Sequence, residues 1–248
     1  MQVARNDEYV QSRKRMTRRI SIAGFVLLII VFASWFLFPS NQELTLFLPP
    51  IFFAVFVVTN LSKQLQFEWG AGLQADERIA QALRHLNNRY WFGAYIPLRR
   101  IVVNNVLVGP EGVQVFATRN HPGQISCTGG KWRRKASILS RIIGPIPPLG
   151  NPTRDVTEAV DAVRAHLNAS GCPDVPIAGA LVFLAPNVVL ELDSCPVTAL
   201  TLAQLEGWAA RRRNTPNEVL SEDVRRTVQQ MLYATLPEAP SVAPARKQ

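Results

Sequence analysis

The rhythm of apolar and polar positions changes several times along the chain. Residues 1–19 are polar and basic. Ile20–Phe38 then runs for 19 residues without a charge, and after the short polar turn Pro39–Glu43 a second uncharged run, Leu44–Leu61, adds 18 more, interrupted by Pro49-Pro50. Each run is long enough to cross a hydrocarbon core as a helix. A proline kink is tolerated there when neighbours satisfy the freed carbonyls. The pattern predicts a transmembrane helical hairpin over 20–61. It argues against a cleavable signal peptide, because no small-residue cleavage site precedes the turn and a second apolar run follows at once.

After a linker at 62–69 the rhythm becomes that of a folded domain, 70–236. Ile79, Ala82, Leu83 and Leu86 share one face of a helix predicted over Gly70–Leu86, with Asp76 and Glu77 near its N-terminus, where the helix dipole favours acids. Tyr90–Leu98 reads as a strand. Two β-branched runs, from Ile101 and from Val113, flank the turn tetrapeptide Gly109-Pro-Glu-Gly112 and predict a β-hairpin, with a third strand at Gln124–Cys127. Gly144–Pro148 is a loop by composition. Asn151-Pro152 opens a helix whose apolar face is Val156, Ala159, Val160, Val163 and Leu167. Ile177–Leu184 is uniformly apolar, as in a strand buried on both faces. Val188–Leu192 and Val197–Leu200 are shorter strands. Helices follow at Leu202–Arg213 and at Leu220–Leu236, the latter with Ser221 as N-cap. Pro237–Gln248, rich in Pro and Ala, is predicted to be disordered. The order gives an α/β fold: a central mixed β-sheet flanked by helices, preceded by two transmembrane helices.

Charge adds a preference for partners. The chain has 27 Lys and Arg against 18 Asp and Glu, a net charge of +9. That favours an anionic lipid surface or nucleic acid. Arg5, Arg13, Lys14, Arg15, Arg18 and Arg19 precede the first apolar run, whereas the turn between the runs has no cation. The positive-inside rule then places the N-terminus and the C-terminal domain in the cytoplasm, on a multi-pass protein of the cell membrane. Cys127, Cys172 and Cys195 are odd in number and widely spaced. They lack any metal-ligand spacing, which points to a reducing compartment and no zinc site. His85, His121 and His166 form no HExxH pattern, and neither a GxSxG nucleophile elbow nor a P-loop is present.

A family resemblance rests on ordered short motifs. Gly72–Ala80, Val103-Asn-Asn-Val-Leu-Val-Gly-Pro110, Gly112-Val-Gln-Val-Phe-Ala-Thr-Arg119, Gly123-Gln-Ile125, Trp132 and Asn151-Pro152 follow one another as they do in the NERD (nuclease-related) domain, of the PD-(D/E)xK restriction-endonuclease-like superfamily. The chain resembles that family from about Gly70 to Leu236. The resemblance implies a Mg²⁺ site built from an Asp on one strand and a Glu two residues before a Lys on the next, with an acid on the first helix assisting. Such an ion activates water and neutralises charge on the phosphate.

The sequence departs from that pattern where the chemistry sits. Asn104 stands at the Asp position and Ala117 at the Glu position. Arg119 stands at the Lys position, and an arginine is a poor proton carrier. Asp76, with Glu77 beside it, is the remaining acid. These four, Asp76, Asn104, Ala117 and Arg119, are read as a vestigial site holding no metal and no other cofactor, with Asp76 and Arg119 suited to a salt bridge. Glu111, Glu191 and Asp193 are read as solvated charges. Arg99, Arg100, Lys131, Arg133, Arg134 and Lys135 are the candidate contacts to anionic lipid or nucleic acid, with the lipid surface preferred. The function expected is a non-catalytic, membrane-anchored binding or scaffold protein. The alternatives are a Mg²⁺-dependent nuclease with a rearranged site and a structural membrane protein that engages a protein partner.

Overall fold

The computed structural model describes residues 1–37, 50–59, 74–99, 101–135, 146–214 and 219–237. The chain forms two compact units. One takes Met1–Glu8, Leu73–Lys135 and Leu149–Gln248, and the other takes Tyr9–Gly72 and Ala136–Pro148.

The larger unit is built on a six-stranded mixed sheet. In chain order its strands are β1 (Gln2–Arg5), β2 (Trp91–Leu98), β3 (Ile101–Gly109), β4 (Gly112–Arg119), β7 (Ile177–Phe183) and β9 (Thr198–Thr201), and they lie side by side in that order. β2, β3 and β4 form the antiparallel meander, while β1 on one side and β7 and β9 on the other run parallel to their neighbours. The predicted hairpin is present, with Gly109 paired to Gly112 across the turn. Gly112 has φ of 125°, a conformation open to glycine and costly for other residues. The following Val113 N–H donates to the Pro176 carbonyl at 2.8 Å, which fixes β7 against the hairpin.

Helices cover both faces. Val113 and Val115 share a buried cluster with Val163 and Leu167 of α4 (Pro152–Ala169) and with Val228 and Leu232 of α6 (Glu222–Tyr233). Phe116, pointing the other way, meets Trp208 of α5 (Leu202–Asn214) edge-on, with ring centroids 6.4 Å apart. The short helix α3 (Ala75–Ala82) packs beside α5 on that second face. Local signals set the helix starts: the Asn151 side chain accepts from the Arg154 N–H ahead of Pro152, and Ser221 accepts from the Val224 N–H. Gly179 lets α4 approach β7, since a Cβ there would come within 2.5 Å of Val156 Cγ1 and 2.7 Å of Val160 Cγ2.

A second, three-stranded sheet in the order β6 (Lys131–Arg134), β5 (Gly123–Thr128), β8 (Val188–Asp193) closes one end of the core. Ile125, Phe183, Leu181, Ala117 and Val156 form the cluster between the two sheets, with Trp132 and Phe183 rings 5.9 Å apart. The Trp132 indole N–H donates to Thr153 Oγ1 at 2.7 Å. β7 is buried from Ala180 onward and only partly covered before it, so the expectation of burial on both faces holds for its second half.

The N-terminal residues differ from expectation. In place of a free polar segment at 1–19, Gln2–Arg5 form the edge strand β1, and helix α1 runs unbroken over Asp7–Leu37. A four-residue strand whose partners are 89 residues away in sequence leaves no periodic signal of its own. α1 is the one described helix long and apolar enough to cross a membrane. The second apolar helix, α2 (Pro50–Thr59), is shorter, and the rest of the run Leu44–Leu61 lies outside the described residues, so one such span stands in place of two. Within the smaller unit Val31 and Val55 pack together with Leu27, and Gly24 lets Val58 come close. The linker 62–69, the start of the helix predicted from Gly70, residues 136–145 and the tail from 238 also lie outside the described residues.

The cysteine reading is corrected. Cys127 and Cys195 are 68 residues apart in sequence but 5.8 Å apart at Cα, and they form a disulfide. Cys172 is free. Wide spacing suggested unlinked thiols, but β5 and the loop after β8 meet through the parallel pairing of the small sheet.

Candidate functional site

The site begins where the meander opens. The β3–β4 ladder ends at Asn105↔Phe116, one step short of Asn104 and Ala117. Beyond that point β3 stays with β2, through Val103↔Ile96, and β4 stays with β7, through Arg119↔Phe183. Asn104 is exposed at this fork, whereas Asn105 is buried, donates to the Phe116 carbonyl at 3.5 Å and has no partner for its Oδ1. Ala117 faces the α4 side, packed with Val156 and Leu181. Arg119 is ion-paired with Asp155 in the first turn of α4, and its Nε donates to the Leu149 carbonyl at 3.2 Å.

Asp76 is held elsewhere. It is 3 % exposed near the start of α3 and accepts a hydrogen bond from Tyr95 Oη at 3.1 Å. Its cation is Arg5 of β1, with Nε 3.0 Å from Asp76 Oδ2 and Nη1 2.8 Å from Glu77 Oε1. Glu77 Oε2 also accepts from the Gln74 N–H at 3.1 Å, closing the first turn of α3. Burial raises the Asp76 pKa above the usual aspartate value, and Arg5 and the Tyr95 hydroxyl offset part of that rise. Thus Asp76 pairs with Arg5 and Arg119 pairs with Asp155, which corrects the expectation of a bridge between Asp76 and Arg119.

Three residues of this cluster escaped sequence reasoning. Arg5 is one cation among six in a run that reads as membrane-proximal charge. Asn6 is 5 % exposed, and its Nδ2 donates to the Tyr95 carbonyl at 3.3 Å. Tyr95 has φ of 56° and is passed over in the β2–β3 register between Ala94↔Asn105 and Ile96↔Val103. An aromatic residue in that region is strained. No sequence signal marks it.

The other candidates divide. Lys131, Arg133 and Lys135 are exposed along β6 and just past it, while Arg134 is partly covered and donates to the Pro122 carbonyl at 3.2 Å. Arg99 is exposed with φ of 33°. Arg100 lies outside the described residues. Glu191 and Asp193 are exposed, as expected. Glu111 is not: its side chain is 10 % exposed, accepts from Tyr90 Oη at 2.8 Å and pairs with Arg212 at 2.8 Å. The turn tip is covered by α5, and burial with the Glu111 contact pushes the Tyr90 phenol upward. Among the described residues no group of three or more His, Cys, Asp or Glu is placed to hold a metal ion. The acids left at this site, Asp76 and Glu77, are both engaged by a guanidinium, a donor set that does not fit a divalent cation.

Residues 71–184 match the family model of the nuclease-related domain, so this part of the chain is a NERD domain, and with it comes the restriction-endonuclease-like superfamily. The match takes in α3, the meander, α4 and β7. No curated protein and no solved structure matches the chain.

Proposed function

We propose that this NERD-domain protein is a membrane-anchored, non-catalytic member of its family that uses the nuclease-related fold as a binding scaffold. The observation that carries the reading is the state of the acids. Asn104 and Ala117 bring no carboxylate to the fork, and the one buried acid of the first helix is neutralised by Arg5. A hard divalent cation needs several oxygen ligands with net negative charge. The test is a nicking assay on the full chain with Mg²⁺ or Mn²⁺, using Asp76→Ala as control. The reading expects equal, background-level cleavage from both. Cleavage by the wild type that Asp76→Ala abolishes would establish the nuclease with a rearranged site instead.

Anchoring follows from connectivity. Residues 1–8 and 73–135 belong to one folded unit and share one sheet. If α1 crosses a bilayer, residues between Glu8 and Leu73 must bring the chain back, so crossings come in even number. That favours the two-helix hairpin over a single span, and the run Leu44–Leu61 supplies the apolar length.

The partner favoured for the scaffold is the anionic lipid surface. Lys131 and Arg133 on β6 and Lys135 just past it are exposed at alternate positions, each worth about 1 kcal/mol near such a surface. With the full chain in nanodiscs, amine labelling of Lys131 and Lys135 is expected to fall several-fold when phosphatidylserine replaces neutral lipid, and to recover in high salt. Labelling that ignores lipid charge but falls on adding DNA would assign the strand to nucleic acid.

A further inference from the structure

The N-terminal strand is held in an unusual way. Its residues Gln2–Arg5 are exposed or half-buried, and none belongs to the core. Apolar burial therefore contributes little to keeping it in place. What holds it is a backbone ladder and a few side-chain contacts, of which Arg5 makes the charged ones. The Gln2 N–H donates to the Tyr90 carbonyl at 3.0 Å and the Asn6 N–H to the Ala94 carbonyl at 3.1 Å, with Gln2↔Trp91 through Arg5↔Ala94 in register between them. Ala4 leans on the core cluster on one face of the sheet, and Gln2 Oε1 accepts from Gln229 of α6 at 2.9 Å. On the opposite face Arg5 enters the notch between α3 and β2, against Asp76 and Glu77.

This notch has the features of a built recognition site. Asp76 and Tyr95, which line it, and Asn6, which enters it, are each at least nine-tenths buried. The strained Tyr95 backbone turns its carbonyl to Asn6 while its hydroxyl orients Asp76. The guanidinium donates a charge-assisted hydrogen bond to Glu77, about twice as strong as a neutral one, and meets Asp76 as an ion pair. Addition of an extended segment to a sheet edge, with main-chain bonds for affinity and one pocketed side chain for specificity, is a general mode of peptide recognition.

We propose that the acid notch beside β2 is an arginine-anchored strand site, whose ligand is an extended segment carrying Arg followed by Asn and whose occupant is this chain's own Gln2–Asn6. Asn6 adjoins Asp7, the first residue of α1. The proposal deepens the scaffold reading by naming what the retained acid binds. It is tested without any cleavage measurement, so the two can fail separately.

The experiment is amide hydrogen exchange on the full chain in detergent at pH 7. Arg5→Ala is expected to speed exchange of Gln2–Asn6 at least tenfold more than that of the β3–β4 hairpin. The charge swap Arg5→Glu with Asp76→Arg is expected to recover most of the protection. Unchanged protection in Arg5→Ala would overturn the proposal, because the ladder and the uncharged contacts would then hold the strand. Should Arg5→Ala speed the hairpin as much as the strand, Arg5→Lys decides: faster exchange confined to Gln2–Asn6 supports the site, and none overturns it.

Discussion

Replacing Arg5 by alanine is expected to destabilise the larger unit by about 3–5 kcal/mol at pH 7, the usual loss when one partner of a buried ion pair is removed. The cost arises at Asp76, whose side chain is 4 % exposed and would keep its charge with no cation to meet it. The effect depends on pH, with a definite sign. Burial, the largest influence, lifts the folded-state pKa of Asp76 above its unfolded value, and Arg5 pulls it partly back. The folded state therefore takes up the proton first. The stability linked to that proton is complete below the unfolded pKa, about 3.9, and is lost as pH rises through the folded value. Without Arg5 the folded pKa climbs further, so the loss extends to higher pH and is largest near neutrality. Urea unfolding followed by tryptophan fluorescence should show the Arg5→Ala deficit shrinking by more than half between pH 7 and pH 4. In the double variant with Asp76→Asn, most of the neutral-pH deficit should vanish. A deficit of the same size at both pH values would mean that Arg5 acts through packing alone.

Reduction of the Cys127–Cys195 disulfide is expected to cost about 4 kcal/mol, the chain entropy released when a closed loop of 68 residues is opened. The bond joins Cys127, fully buried in β5, to the loop leading into β9, so it ties the small sheet to the edge of the large one. Thermal or urea unfolding with and without a phosphine reductant measures the loss, and Cys127→Ser with Cys195→Ser should make the chain indifferent to the reductant. The same bond bears on orientation. The arginines and lysines ahead of the apolar run favour a cytoplasmic domain, whereas a persistent disulfide favours an oxidising side. Trapping thiols with a maleimide reagent in intact cells reads the side directly. An oxidised pair places the domain outside the cytoplasm, and a reduced pair places it inside with this stability withheld.

What the sequence makes legible is what short-range rules govern. The Gly109–Gly112 turn, the start of α4 at Asn151-Pro152 and the Ser221 cap each depend on a few adjacent residues, and each stands where the pattern predicts. The motif order is likewise enough to recognise the NERD domain, whose family model matches 71–184 where the resemblance runs on to Leu236. What stayed hidden depends on residues far apart in the chain. Arg5 reaches α3 across 72 residues, and Cys127 reaches Cys195 across 68. Glu111, placed at the turn tip by its neighbours, is covered by Arg212 from a helix that local pattern cannot dock. Local pattern misassigns the partner of Asp76 for the same reason. Its notional partner Arg119 is engaged by Asp155 on α4, across the sheet from α3, while an arginine counted with the membrane-proximal charge takes the place beside it.

If the retained acid of this nuclease-related domain serves a guanidinium and not a metal ion, Mn²⁺ titration of the full chain, followed by the loss of the free-ion paramagnetic resonance signal, will show no saturable site below about 1 mM in the wild type, and the same trace for Asp76→Ala. A saturable Mn²⁺ site in the micromolar range that disappears in Asp76→Ala would contradict it.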